Sequence, residues 1–431
     1  MAKSSIFPLN RLHLLLSWIK ERLWIKPLAM SLVSVCGIFI ARLADDRGLS
    51  SSLPEIGIDS LISLLTIMAS SMLVIATFAV GSMVAAYASA STGATPRSFS
   101  LVLADDVTQN ALSAYVGAFI FSLVSLIAVK NAMFGSAGLF AMFILTVLVF
   151  AIVIGTFVIW VDRIARLGRV PNTIAKVEKA TADALDRRRH SPTMGALPLP
   201  LASGRGESIT VCASKVGYVQ NIDLKALQSC AEEFDSFMII DIVPGAFVGT
   251  RSPLLRVKGS PSIEAHILQS AFTIGRERAF EDDPRFGLLA LSEIAAKALS
   301  PSVNDPGTAI NIISVMVRLF TLWRRPLDEA HPPKVDYDRV AMPMLGIEDL
   351  FDDAFTAIGR DGAALVEVSI RLQKGFGMLA GMGDQAMQAA TQRHSRMALA
   401  RSEQAMTNQN DIDLTRMAAA FGEKRIQRAM R

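Results

Sequence analysis

Four long apolar runs, three of them without a single acidic or basic side chain, crowd into the first 165 residues of this 431-residue chain. A bilayer core offers backbone amides no water, so a segment that enters it must satisfy its own hydrogen bonds as a helix, and about 20 apolar residues reach across. Leu61 to Ala88 has no Asp, Glu, Lys, Arg or His, and the runs at 111–129 and 139–161 are equally free of charge. The run at 27–43 is shorter and carries Arg42 near its end, a side chain long enough to reach the headgroups. Four transmembrane helices follow, at 27–43, 61–88, 111–129 and 139–161, within a membrane domain of residues 27–164. Cleavage of the first as a signal peptide is the weaker alternative, because the segment that leads it is too long.

Loop charge sets the orientation. Lys3, Arg11, Lys20, Arg22 and Lys26 precede the first run against Glu21 alone, whereas the next loop holds Asp45, Asp46, Glu55 and Asp59 against Arg47. Basic loops stay inside, so the N-terminus is expected in the cytoplasm and four spans return the C-terminus to the same side. Arg163, Arg166, Arg169, Lys176, Lys179 and Arg187 to Arg189 after the fourth span agree with that. In residues 1–26, Leu12, Leu15, Leu16, Ile19 and Leu23 recur at helical spacing, with Trp18 and Trp24 as interfacial aromatics. That pattern is an amphipathic helix on the inner leaflet or a plain extension of the first span.

The chain is 51% hydrophobic with a formal net charge of +4. Its basic clusters lie beside the spans, where anionic lipid rather than nucleic acid is the expected partner. Cys36, Cys212 and Cys230 have neither zinc spacing nor a disulfide framework. No metal and no cofactor is expected.

The last three spans lack the intramembrane charges of pumps and voltage sensors. The second has instead Ser63, Thr66, Ser70, Thr77 and Gly81 at spacings that put small and hydroxylated side chains on one face. Such a face packs against another helix or lines a watery path. In the following loop, Pro96 breaks the helix and Arg97 sits at headgroup level, where it reinforces topology, holds a lipid phosphate, or faces a vestibule and attracts anions.

Residues 165–208 are expected to form a basic helix, opened by Pro171, and a Pro/Gly-rich linker. Short β-branched pieces broken by Gly217, Pro244-Gly245 and Pro253 mark a small β-rich domain at 209–258. Its turn-and-strand pattern resembles the barrel-sandwich folds of biotinyl and lipoyl carriers, without their hairpin lysine. A helical domain follows at 259–325, with helices started by Ser260-Pro261, Asp283-Pro284 and Asp305-Pro306. A loop is expected at 326–345 and packed helices at 346–431. The densest polar turn runs from Ser300 to Thr308; Asp305 fits a helix cap, and Ser300, Asn304, Asp305 and Thr308 also suit a ligand or a subunit contact. The fold class expected is an α-helical membrane protein with four transmembrane helices and a cytoplasmic α+β region, containing a small β-rich domain and a helical domain.

Gly217-Tyr218-Val219-Gln220, Pro244-Gly245-Ala246-Phe247-Val248, and Ala298-Leu299-Ser300-Pro301 with Asn304-Asp305-Pro306 and Thr308-Ala309 together resemble a family of bacterial predicted membrane proteins, domain of unknown function 2254. Pro96-Arg97 and Val170-Pro171-Asn172 also look like that family. The resemblance implies a bacterial inner membrane protein with no established activity, and it carries over no catalytic residue.

No phosphate-binding glycine loop, nucleophile elbow or metal-binding helix motif occurs, and His13, His190, His266, His331 and His394 are scattered. An enzyme is not expected. Two roles stay open: an oligomeric channel-like or transport-related module for ions, with a cytoplasmic vestibule, and a membrane-anchored sensor or scaffold binding a ligand or partner.

Overall fold

A computed structural model describes residues 25, 28–29, 31–32, 35–36, 54, 56–93, 95–98, 100–101, 106–166, 168–199, 208–259, 263–327 and 333–429. The expected span at 27–43 lies largely outside these residues, as do Trp18, Trp24 and nearly all of the expected amphipathic helix. Contacts divide the chain into two units, Met1–Thr173 and Ile174–Arg431.

The first unit is helical. Ile58–Gly93 (α1), Asp106–Lys130 (α2) and Ser136–Arg166 (α3) each contain a segment long and apolar enough to cross a membrane. On α1 the inward stripe is Leu61, Leu65, Met68, Met72, Ala76, Ala79, Met83 and Tyr87, all buried. Successive members are three or four residues apart, the spacing that keeps side chains on one helical face. One cluster joins Met72, Ala76 and Ala79 to Ala111, Tyr115 and Ala118 of α2 and to Val153 and Trp160 of α3. Tyr115 and Trp160 meet edge-to-face with centroids 6.3 Å apart, the arrangement that sets a positive ring edge against a negative ring face.

Val170–His190 (α4) leads into the second unit. A five-stranded sheet has the order β1-β8-β4-β6-β2, built from Ala196–Pro198 (β1), Tyr337–Met342 (β8), Phe237–Ile240 (β4), Pro253–Lys258 (β6) and Ile209–Cys212 (β2). β1 and β4 pair with β8 in parallel, while β6 runs antiparallel to β4 and β2. A three-stranded antiparallel sheet places Gly217–Ile222 (β3) between Phe247–Val248 (β5) and Phe272–Gly275 (β7). Both sheets share one core with Leu224–Glu233 (α5), whose Leu227 and Ala231 pack on Met238, Ile240 and Val340.

The structure departs from five expectations. The loop expected at 326–345 contains β8, whose Val340, Ala341 and Met342 are fully buried. The linker expected after the basic helix, within 165–208, contributes β1. In place of the helix expected to start at Ser260-Pro261 stand a single short helix, Ala265–Ser270 (α6), and then β7, because Phe272 and Ile274 alternate toward the core. The β-rich part thus reaches beyond 209–258, and its one mixed and one antiparallel sheet with packed helices are not a barrel-sandwich.

The helices that follow are Pro284–Ala298 (α7), Pro306–Trp323 (α8), Ile347–Asp361 (α9), Val366–Ala380 (α10), Gln385–Ala405 (α11) and Gln409–Ala429 (α12). Asp283 and Asp305 cap α7 and α8, each followed by Pro at the first turn. α8 also meets the length and apolarity of a span. Its Ile312, Ile313, Met316 and Leu319 are buried, Phe320 lies against Phe351 and Phe355 of α9, and Arg318 pairs with Glu178 of α4 at 2.7 Å. Those contacts make it a core helix of the second unit, a common identity for an apolar helix of marginal length.

Candidate functional site

A cleft of about 380 Å³ opens where the β2–β3 connection, α6 and β7 converge. Buried Leu254 and Phe272 form its floor. Its rim is polar: Ser214 and Lys215 from the connection, His266, Gln269 and Ser270 from α6, and Thr273 from β7. Gln269 is spent on the fold, since its Nε2 donates to the Cys212 carbonyl at 2.8 Å, and the Ser270 hydroxyl donates to the Ile267 carbonyl at 2.6 Å. His266 Nδ1 lies 3.0 Å from Glu264. The hydroxyls of Ser214 and Thr273, the ammonium of Lys215 and the other ring nitrogen of His266 have no partner among the described residues.

The hydroxyls of Ser214 and Thr273 and the ammonium of Lys215 supply O–H and N–H donors that suit an oxyanion, whereas the second His266 nitrogen is an acceptor in a neutral ring whose Nδ1–H meets Glu264. The sequence offered little warning of this site. Ser214 and Lys215 sit in an unremarkable connection, and His266 comes from a segment expected to be a longer helix; the docking of α6 on β2 through the Gln269 bond to the Cys212 carbonyl, together with the pairing of β3 with β7, brings them together. Among the described residues no group of three His, Cys, Asp or Glu side chains is placed to hold a metal ion.

The residues singled out from the sequence lie elsewhere. Ser63, Thr66, Ser70, Thr77 and Gly81 are exposed, on the side of α1 away from its inward stripe. Among the described residues they do not pack one helix against another: an added Cβ at Gly81 would meet nothing within 4 Å. The hydroxyls of Thr66, Ser70 and Thr77 donate back to the carbonyls of Ile62 at 2.7 Å, Thr66 at 3.0 Å and Leu73 at 2.9 Å. Arg97 lies on an exposed 3₁₀ turn, Pro96–Ser98, beside buried Ser98.

In the Ser300–Thr308 turn the carboxylate of Asp305 accepts from the Thr308 amide at 3.1 Å and its hydroxyl at 2.6 Å. Those hydrogen bonds hold the Asp305 carboxyl below the usual carboxylate range. Ser300 donates to the Lys297 carbonyl at 2.7 Å, and Asn304 takes a left-handed backbone, φ 49°. Asp305 and Asn304 are exposed, and the carboxylate is already committed to the helix start.

A partly buried charge network is not evident in the sequence. Arg278 grips Asp283 through two bonds, Arg285 reaches Asp353 at 2.6 Å and Asp349 at 3.1 Å, and Arg188, 4% exposed, donates to the Asp282 carbonyl at 3.1 Å. Burial pushes the Arg188 guanidinium down and the Asp353 carboxyl up. The network fastens α4, the 276–283 loop, α7 and α9 to one another.

An uncharacterized protein of Mycobacterium bovis is 30% identical to the chain over 141 residues, and two uncharacterized proteins of Mycobacterium tuberculosis are 28% identical over 140 and 30% over 141. Each match covers 31% of this chain and 25% of the relative, so the chain spans about a quarter of the length of the curated relatives it matches. No solved structure matches. The family model described as predicted membrane protein, domain of unknown function 2254, matches residues 20–378, and the chain belongs to that family of membrane proteins.

Proposed function

We propose that this membrane protein is an anchored ligand-binding module, whose second unit takes a small anionic ligand in the cleft of Ser214, Lys215, His266 and Thr273. The convergence of three unpartnered polar side chains, Ser214, Lys215 and Thr273, over an apolar floor carries this reading. It makes the chain a sensor or scaffold rather than an enzyme, set in a bacterial inner membrane with both ends in the cytoplasm as the loop charges favour. Titration of glycerol phosphate into the full chain in neutral-lipid nanodiscs tests it. Saturable heat is expected, weakened about tenfold by Lys215→Ala, the equivalent of ~1.4 kcal/mol for one charge-assisted bond. Absence of heat sinks the proposal.

A second reading, an oligomeric channel-like module, draws on the outward position of the Ser63 to Gly81 stripe on α1, open to another copy or to lipid. The back-bonded hydroxyls of Thr66, Ser70 and Thr77 weigh against it, because each has a partner without water. Single-channel recording together with oligomeric mass separates the two readings: conductance abolished by Ser70→Leu and Thr77→Leu in an intact oligomer would favour the pore.

A further inference from the structure

The cleft adjoins an exposed apolar and basic edge that a freely diffusing anion would not need. β3 pairs Gly217 with Val248, and Tyr218 with both Phe247 and Gly275. This antiparallel register brings the start of β3, the end of β5 and the end of β7 to one end of the sheet. Lys215 and Val216 stand just before β3, Arg251 lies just beyond β5, and Arg276 follows β7. Strand alternation then sorts the side chains: Val219 and Val248 enter the core, while Val216, Tyr218 and Phe247 share the opposite face. Phe247 is 64% exposed and Val216 62% exposed, and the Phe247 ring lies 5.1 Å from that of Tyr218. Lys215, Arg251 and Arg276 are exposed and have no ion-pair partner among the described residues; Glu277, next to Arg276, is the acidic neighbour in sequence.

We propose, resting on the cleft reading above, that the ligand is the phosphate-bearing headgroup of an anionic lipid still in its bilayer. Lys215 and its neighbouring hydroxyls take that phosphate, Arg251 and Arg276 meet adjacent headgroups, and Phe247 and Val216 enter the interfacial layer. Apolar side chains ringed by unpaired cations are the composition of a peripheral lipid contact, which needs both an apolar and an electrostatic component. A patch this small binds weakly by itself. In a chain that already spans a bilayer, however, the lipid is present at high effective concentration, so a weak contact is populated.

Hydrogen exchange on the full chain in nanodiscs tests this, comparing phosphatidylcholine alone, phosphatidylcholine with phosphatidylglycerol, and phosphatidylcholine with free glycerol phosphate added. Slower exchange at 214–218 and 247–252 in the phosphatidylglycerol discs is expected. It should be lost in Arg251→Glu/Arg276→Glu and in Phe247→Ser, with protection of β4 retained as the sign of an intact fold; if the double variant loses β4 protection, Phe247→Ser alone decides. Equal exchange in neutral and anionic discs overturns the lipid proposal. Protection by free glycerol phosphate without protection in anionic discs overturns it while leaving the cleft reading standing, and protection in neither overturns both.

Discussion

The carboxylate of Asp283, 2% exposed, is held by both arms of Arg278, with Nε 2.7 Å from one oxygen and an NH2 nitrogen 2.9 Å from the other. The same carboxylate caps α7 by accepting the Phe286 amide at 3.1 Å. Removing it strands a largely buried guanidinium and uncaps a helix together. Asp283→Ala is therefore expected to destabilise the second unit by about 3 kcal/mol or more. A denaturant titration of the full chain in detergent checks this; a change within experimental error would mean the pair contributes little.

Gly245 follows from the same pair. Its φ of 93° is one that side chains seldom adopt, and an added Cβ would lie 2.2 Å from the Asp283 carboxylate, which Arg278 prevents from moving aside. Gly245→Ala is expected to cost more than the ~1 kcal/mol of an ordinary left-handed position, because steric overlap adds to backbone strain. Melting temperatures of Gly245→Ala and of Gly249→Ala, whose Cβ would meet nothing closer than 3.9 Å, should differ clearly.

His394, 3% exposed, is enclosed by Phe351, Phe355 and Phe376, with its Nε2 3.0 Å from Asp352. Burial, aided by Arg393, depresses its affinity for a proton, and Asp352 only partly opposes this. Below about pH 6.5 the unfolded chain therefore binds a proton that the folded chain refuses. Stability should be level above that pH and fall as the medium is acidified through it. His394→Phe should flatten that part of the curve, and an unchanged slope would place its origin in another group.

Asp305 separates a cap from a ligand site. Asp305→Ala should cost about 1 kcal/mol of stability, and Asp305→Ser should recover most of it, since a serine hydroxyl can also accept the Thr308 amide. Glycerol phosphate binding should be unaffected by either. Binding lost in the serine variant, with the helix restored, would assign the turn a recognition role.

Adjacent positions on α1 should respond in opposite ways. Ala76 lies in the cluster with Tyr115 and Trp160, so Ala76→Leu overpacks it at a cost of about 1–3 kcal/mol. Thr77 faces outward, and Thr77→Leu should leave the helices as stable as before. Thermal melts followed by circular dichroism compare them, and equal effects would contradict the assignment of the α1 faces.

The uncharged runs of α1, α2 and α3 were legible from sequence because a charge-free stretch of that length has essentially one stable form in lipid. The starts of α7 and α8 were legible too, since Asp before Pro supplies both an amide acceptor and a preset first turn. Both are properties of consecutive residues. The side of α1 that turns inward was not legible: small and hydroxylated residues suit a packed face, yet the alanine and methionine stripe took it, because α2 and α3 present Tyr115 and Trp160 to that side. Strands β1 and β8 are too short to show a period, and they exist as strands only because they pair with each other across about 140 residues of chain, with β8 also paired to β4. The cleft has the same origin. Its polar groups come from three separate segments, and their convergence depends on the pairing of β3 with β7 and on the docking of α6 against β2, which no local pattern encodes. Membership of the lipid phase was decided by the sequence itself, and the candidate site by long-range pairing, since hydropathy acts residue by residue whereas a binding geometry exists only between elements brought together by the fold.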